Sequence, residues 1–359
     1  MRVVWSEIAE QIVHGLGVQS GELIYVHDHS GRFEILTEVL LAIELAGATP
    51  LPQIDPADYL HRLWAGASTD YLSQWDRHRL VWMKQADRIV VLAGTVPDFR
   101  SAPSQSVQAW QTAEERLVSV ENERLLPFLL VGIPTVQRAQ QLGLSLADLD
   151  AHLLPSLSVT VEVLKRHIDS VLQALSGHHQ FTIQTGNGSE LHVTQGDRQW
   201  LSDDGVIDAV DRAAGAIASN MPAGSIYTTV IESETHGSLY LGSVADARDV
   251  VLHFDGGRIA KIEADLPKDA QMLEKWFDSH SGEPRRVAHI GIGLNPALHR
   301  PIGWTLVDEH IMGGMFISMG ENRYMGGQNE SSLNVDYFIR SPTFLAGGNC
   351  IVRGGNINI

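Results

Sequence analysis

Near residue 180 the apolar residues of this chain change their spacing, from every third or fourth position to every second. One layer of structure cannot satisfy both spacings. A helix puts i and i+4 on one side, whereas a strand puts i and i+2 there. Before the switch, SEIAEQIVHGLGV, RFEILTEVLLAIELAGA and YLSQWDRHRLVWMKQA carry the helical spacing, and ELIYVHD, TPLPQI, DRIVVLAG and RLLPFLLVGI read as strands between helices. The continuous β-branched run of DRIVVLAG is what a parallel strand covered on both faces requires. Helical spacing then runs through SLADLDAHLLPSLSVTVEVLKRHIDSVLQAL to about residue 175, with a break expected at Pro155.

After the switch, HHQFTIQTGNGSELHVTQ reads as a hairpin turning on Gly186, Asn187 and Gly188, and GSIYTTVIES, GSLYLGS, DVVLHFDGGRIAKIEA and GNCIVRGGNINI alternate. KDAQMLEKWFDSHS is the one helix expected in this half. The reading is therefore an α/β domain with a mostly parallel sheet over residues 1–180, followed by a β-rich, α+β domain over 181–359 that carries the site.

Composition narrows the functions open to such a chain. With 26 basic against 43 acidic residues, a formal charge of −17 repels a phosphate backbone, so a nucleic-acid partner is not expected. No uninterrupted apolar stretch is long enough for a membrane span, and the first residues, MRVVWSEIAEQIVHGLGV, carry Glu7 and Glu10 instead of the basic patch of an export signal. Cys350 is the single cysteine, which suits a reducing cytoplasm and leaves His, Asp, Glu, Asn and Tyr to hold any metal.

Several polar side chains of the second half fall at expected strand ends or turns: Glu232 and His236 in TTVIESETHGS, His289 in HIGIGLNP, Asp308, Glu309 and His310 in TLVDEHIMGG, Tyr324, and Asn334 and Asp336 in SSLNVDYF. Asn334 and Asp336 are two apart, so a strand would turn both to one face, as a β-scaffold does when it offers two oxygen donors to one metal. His289 lies among apolar neighbours, and a buried imidazole needs a partner. A backbone carbonyl and a metal both answer that need.

These segments resemble a known family. GIPTVQRAQQLGLSLADLDAHL is similar to the stretch joining the two halves of the aminopeptidase T family, and GSIYTTVIESETHGSL to its strand carrying a metal-binding glutamate, with Glu232 at that glutamate and Val230 where the family has a proline. RRVAHIGIGLNPALHR and MFISMGENRYMGGQNESSLNVDYFI resemble the branch formed by the iron-dependent 2,5-dihydroxypyridine 5,6-dioxygenases more closely.

The resemblance implies roles residue by residue. His289 stands where the dioxygenases have their first iron-ligating histidine and the aminopeptidases a glutamate. Asp336 matches the aspartate ligand of both, and Asn334 replaces a histidine ligand of both. An amide oxygen is a neutral, weaker donor than imidazole, so Glu232, His310 or His236 is expected to supply a third strong ligand. The histidine that follows this segment in the aminopeptidases has no counterpart in IMGGMF, so the resemblance implies that a two-metal peptidase centre is dismantled. Asp98, in LAGTVPDF, falls near a catalytic histidine of the dioxygenases. Asp98, Glu309 and Tyr324 are the candidates for acid–base work.

The implied function is a non-haem Fe(II) dioxygenase acting on a small hydroxylated N-heteroaromatic, in a homodimer, with Zn, Mn or Co as other metals the donors would accept. The alternatives are a metal-dependent hydrolase or aminopeptidase cleaving a small amide, and a non-catalytic descendant.

Overall fold

The computed structural model describes residues 2–56, 58–94, 99, 102–214 and 216–359. The chain opens with α1 (Arg2–Leu16), β1 (Leu23–Asp28), α2 (Phe33–Leu45) and β2 (Thr49–Ile54). It continues through three short helices, α3 (Tyr59–Gly66), α4 (Thr69–Leu72) and α5 (Arg79–Gln85), to β3 (Arg88–Ala93), α6 (Ser104–Arg124) and β4 (Phe128–Gly132). Next come α7 (Val136–Gln141), α8 (Leu146–Leu157), α9 (Val161–Leu175), the β5 (Gln180–Gln184) and β6 (Glu190–Thr194) hairpin, β7 (Leu201–Asp203), α10 (Ala209–Ala214) and β8 (Ala218–Met221). The remainder is β9 (Ser225–Thr229), β10 (His236–Val244), β11 (Ala247–Asp255), β12 (Arg258–Glu263), α11 (Pro267–Asp278), β13 (Val287–Gly293), α12 (Thr305–Asp308), β14 (Met315–Gly320), β15 (Asn334–Ile339), β16 (Thr343–Ala346), β17 (Asn349–Arg353) and β18 (Asn356–Ile357).

Two compact units result: one of Met1–Thr160 with Gly205–Ala223, the other of Val161–Asp204 with Gly224–Ile359. The sequence reading placed one boundary at residue 180; the chain instead crosses between units three times, and α9 belongs to the second.

The first unit is built on a parallel sheet in the order β2-β1-β3-β4-β8. Its central strands bury apolar side chains on both faces, which explains the unbroken run in DRIVVLAG. In α2, Ile35, Leu36, Val39 and Ile43 are buried, the stripe a surface helix turns to its core. Where one helix was expected from YLSQWDRHRLVWMKQA there are two, α4 and α5. The interruption lies at Asp76, whose buried carboxylate accepts a forked pair of bonds from Arg116 of α6, at 2.7 Å each. Helix α6 was not anticipated; Val107, Trp110, Ala113 and Leu117 form its buried stripe on an otherwise polar segment. Pro155 does not end α8, which continues to Leu157.

The second unit carries an eight-stranded sheet in the order β12-β11-β10-β6-β5-β16-β17-β18 and a five-stranded sheet in the order β15-β14-β13-β9-β7. The β5–β6 hairpin turns where expected, with Asn187 in the left-handed region at φ 61°. Leu164, Ile168, Val171 and Leu175 give α9 its buried face. No described helix is long and apolar enough to cross a membrane.

Candidate metal centre

Antiparallel pairing of β9, β13, β14 and β15 sets Thr229 opposite His289, His289 opposite Ser318, and Ser318 opposite Asp336. Directly opposed residues of neighbouring strands turn to the same face, so these four side chains form a row across the sheet. His289 is the third residue of β13, a strand buried along its whole length, and so lies within the strand and not at its end. The glycines after it serve packing. A Cβ on Gly291 would come within 2.0 Å of the Phe316 ring, and one on Gly293 within 2.3 Å of the Ile311 carbonyl oxygen.

The His289 Nε2 atom lies 3.4 Å from Asp336 Oδ1. That approach pairs the two groups without hydrogen-bond geometry, and both His289 Nδ1 and Asp336 Oδ1 are buried with no hydrogen bond. Burial pushes the Asp336 carboxyl up, but His289 and the Ser318 hydroxyl outweigh it, and the group sits below its ordinary value. The imidazole Nε2 and the carboxylate Oδ1 lie side by side, and that oxygen is buried without a hydrogen bond, so the two groups fit two ligand positions of a divalent transition metal. Asn334, two residues along β15, is exposed; its Oδ1 accepts from the Ser318 hydroxyl at 3.2 Å and its Nδ2 donates to the Tyr324 hydroxyl at 3.1 Å.

The candidates for a third strong ligand stand in different surroundings, and both ring nitrogens of His310 are buried without a hydrogen bond. Glu232 is buried, and its carboxylate accepts from Arg198 Nη2 at 3.1 Å, Asn322 Nδ2 at 3.1 Å and the Gln328 amide at 2.7 Å. Its charge is already balanced. His236 is exposed at the start of β10, stacked on His192 with centroids 5.0 Å apart. His310 is fully buried with Glu309 at 3.4 Å and Asp203 at 4.0 Å; burial pushes this imidazole down, but the two carboxylates outweigh it and hold it above its ordinary value. Asp308 accepts the Ile302 and Gly303 amides at 2.9 and 2.8 Å and so fixes a turn. Glu309 and Asp336 share the wall of a cavity of about 260 Å³ together with Phe316, Tyr337 and Arg340. Asp98 lies outside the described residues.

Among the described residues, the group of three His, Cys, Asp or Glu side chains that converge as metal ligands is a different one: His27, His29 and Asp55, in the first unit, with their ligand atoms all within 4.8 Å of one another. Burial, followed by the neighbouring His27, pushes the His29 imidazole down to about 4. The sequence reading passed over these residues. The signal was present: one expected strand, ELIYVHD, ends in His27–Asp28 with His29 just after it, and Asp55 follows another, TPLPQI.

Comparison with known proteins accounts for the architecture. The structure aligns with that of 2,5-dihydroxypyridine dioxygenase from Pseudomonas putida KT2440 over 100% of this chain and 98% of the other, at 15% identity and a TM-score of 0.62. It aligns with wild-type AmpT from Thermus thermophilus over 99% of both chains, at 16% identity and a TM-score of 0.76. At these identities the likeness is one of fold. Among curated proteins nothing matches. Residues 150–359, which include the whole His289–Asp336 row, match the model of the NicX family, and the chain therefore belongs to the 2,5-dihydroxypyridine 5,6-dioxygenase family.

Proposed function

We propose that this protein is a metal-dependent, non-haem iron dioxygenase acting on a small hydroxylated N-heteroaromatic such as a dihydroxypyridine. The observation that supports the reading is the approach of His289 Nε2 to Asp336 Oδ1 at 3.4 Å, with that carboxylate oxygen buried and free of hydrogen bonds, within the segment that matches the family. His289 and Asp336 would hold the metal, with the Asn334 amide oxygen as a weak third donor. Fe(II), when bound there, supplies a Lewis acid for a ring hydroxyl and an open position for O2; Zn, Mn and Co suit the same donors. Ser318, hydrogen-bonded to Asn334, also keeps Asp336 ionised and oriented. Tyr324 fixes the Asn334 amide. Glu309 lines the cavity wall with Asp336, which supports it as the group that would accept the hydroxyl proton of a bound ring. The cavity, at about 260 Å³, is larger than the roughly 150 Å³ known to admit benzene, and so suits a one-ring substrate.

The hydrolytic alternative asks Glu232 to ligate a metal, and Arg198 with two further donors already satisfies that carboxylate. We expect the chain to work as a homodimer in the cytoplasm, with light scattering at micromolar concentration as the check on the first. The activity test is anaerobic loading with Fe(II) followed by O2 uptake with hydroxylated pyridines. Wild type should consume O2, and His289→Ala and Asp336→Ala should lose metal and at least about 100-fold in rate, since ligands matter more than their supports. Asn334→His should tighten Fe(II) on the order of 10-fold. Fe(II) affinity unchanged in His289→Ala would make the imidazole structural and sink the reading. Amine release from aminoacyl substrates with Zn(II) or Co(II), without O2 uptake, would replace it with hydrolysis.

A further inference from the structure

In the first unit, β1 and β2 run parallel with His27 opposite Gln53, and each strand presents the same kind of group two residues further on: His29 beyond β1 and Asp55 beyond β2. Alternation puts His27 and His29 on one face and Gln53 and Asp55 on the same one. The backbone continues to hold this arrangement past the strand ends, since the Asp55 amide donates to the Asp28 carbonyl at 2.9 Å and the His29 amide to the Leu92 carbonyl at 3.0 Å. The cluster thus sits at the carboxyl ends of parallel strands, where open α/β sheets place their ligands.

The side chains converge closely. His27 Nε2 lies 2.8 Å from Asp55 Oδ2, His29 Nδ1 lies 4.0 Å from the same oxygen, and the two imidazole centroids are 3.8 Å apart. Two ligand atoms on one tetrahedral metal are separated by roughly 3.4 Å when the bonds are about 2.1 Å. The two separations to Asp55 Oδ2 bracket that value, so side-chain shifts of roughly 0.6 Å would bring them to it.

Gln53 fixes the chemistry of the cluster. Its Oε1 accepts from the Tyr25 hydroxyl at 2.7 Å and from Arg79 Nε at 3.2 Å. Arg79 can only donate, so the amide oxygen must face it and the Gln53 Nε2 must face the cluster. There Nε2 donates to Asp55 Oδ2 at 3.0 Å and stands 3.0 Å from His27 Nε2. His27 Nε2 and Asp55 Oδ2 are within hydrogen-bond distance of each other at 2.8 Å, and in the His27 tautomer with a bare Nε2, where Gln53 donates to both, a cation between them would take the place of that hydrogen bond.

We propose that His27, His29 and Asp55 form a second divalent-metal site, independent of the His289–Asp336 centre and with Gln53 as its hydrogen-bonding support. Two imidazoles and one carboxylate select a borderline transition ion, Fe(II), Co(II) or Zn(II), over Mg(II) or Ca(II), and three protein ligands leave room for water or a small oxygen ligand on the metal. The inference does not rest on the proposed dioxygenase function.

Chelator-stripped full-length protein titrated with Co(II), followed by its visible absorption and by equilibrium dialysis, tests it. Wild type should bind two equivalents per chain. The His289→Gln, Asp336→Asn double variant leaves the first unit untouched and should keep one, and adding His29→Gln or Asp55→Asn should weaken that equivalent at least 10-fold. Circular dichroism and the melting midpoint of the metal-free forms establish that each variant is folded, and His29→Gln, at a partly exposed position, is the milder of the two changes. Loss of all binding in the double variant overturns the second site and leaves the dioxygenase centre standing. One equivalent in wild type that survives the double variant and falls with His29→Gln supports the second site and removes the first. Retention of full affinity in both His29→Gln and Asp55→Asn overturns the proposal whatever the stoichiometry.

Discussion

At the scale of single residues, Glu232, which the sequence reading offered as a metal ligand, is held by hydrogen bonds within the protein frame. Its carboxylate is buried, ties Arg198 of the β6–β7 connection to Asn322 and Gln328 beyond β14, and carries the only negative charge paired with that arginine among the hydrogen bonds and ion pairs described for it. Removing one partner of a buried pair leaves an uncompensated charge, at a cost of about 3–5 kcal/mol. Arg198→Ala is therefore expected to lower stability by about that amount, read by urea denaturation. Glu232→Gln, which keeps the hydrogen-bonding shape and removes the charge, should cost less. A negligible loss in Glu232→Gln beside a large one in Arg198→Ala would mean that the arginine contributes by packing alone. The approach of His289 to Asp336 could be anticipated because each stands in a segment resembling a family pattern, and the i, i+2 spacing of Asp336 with Asn334 fixes a shared face. The Arg198–Glu232 pair was not legible, because 34 residues separate the two and nothing in either segment shows that they meet.

At the scale of elements, α6 carries two carboxylates, Glu114 and Glu121, seven positions apart and so on nearly the same side of the helix. Burial pushes both up to about 7, with Glu121 and Asp55 adding to the effect at Glu114. The sign follows from linkage. In the unfolded chain these groups ionise near 4.5, so between about pH 4.5 and 7 the folded state holds protons that the unfolded state releases, and stability falls as pH rises through that window. Both groups keep some solvent contact, so the penalty above pH 7 is put at about 1–2 kcal/mol each. On chelator-treated protein, the melting midpoint of Glu114→Gln relative to wild type should therefore climb between pH 5 and pH 8. A difference that stays flat with pH would refute the buried-carboxylate account. The sequence hid this helix because its stripe of Val107, Trp110, Ala113 and Leu117 is sparse among polar residues. Strong stripes such as that of α9 were plain, and the hairpin turn at Asn187 announced itself through its glycines.

At the scale of the whole molecule, the change of hydrophobic period identified two kinds of layer, but periodicity is a local signal and says nothing about where a strand goes to pair. The segment 205–223 lies in sequence inside the β-rich half, yet β8 closes the parallel sheet by pairing with β4 through Phe128 and Ala218, Leu129 and Ser219, Leu130 and Asn220, and Val131 and Met221. The same segment also anchors on α1, where the Ile207 amide donates to the Gly15 carbonyl at 2.8 Å. A fragment cut at residue 180, the boundary the sequence suggests, would lack β8 and expose the β4 edge, and it would carry α9 with its buried face uncovered, since that helix belongs to the other unit. Unpaired apolar edges recruit other chains. Expressed alone, residues 1–180 should aggregate. Residues 1–160 joined to 205–223 by a short glycine–serine linker should be soluble and melt cooperatively, measured by sedimentation and circular dichroism. A soluble, cooperatively folded 1–180 fragment would show that β8 is dispensable and that the first sheet is complete with four strands.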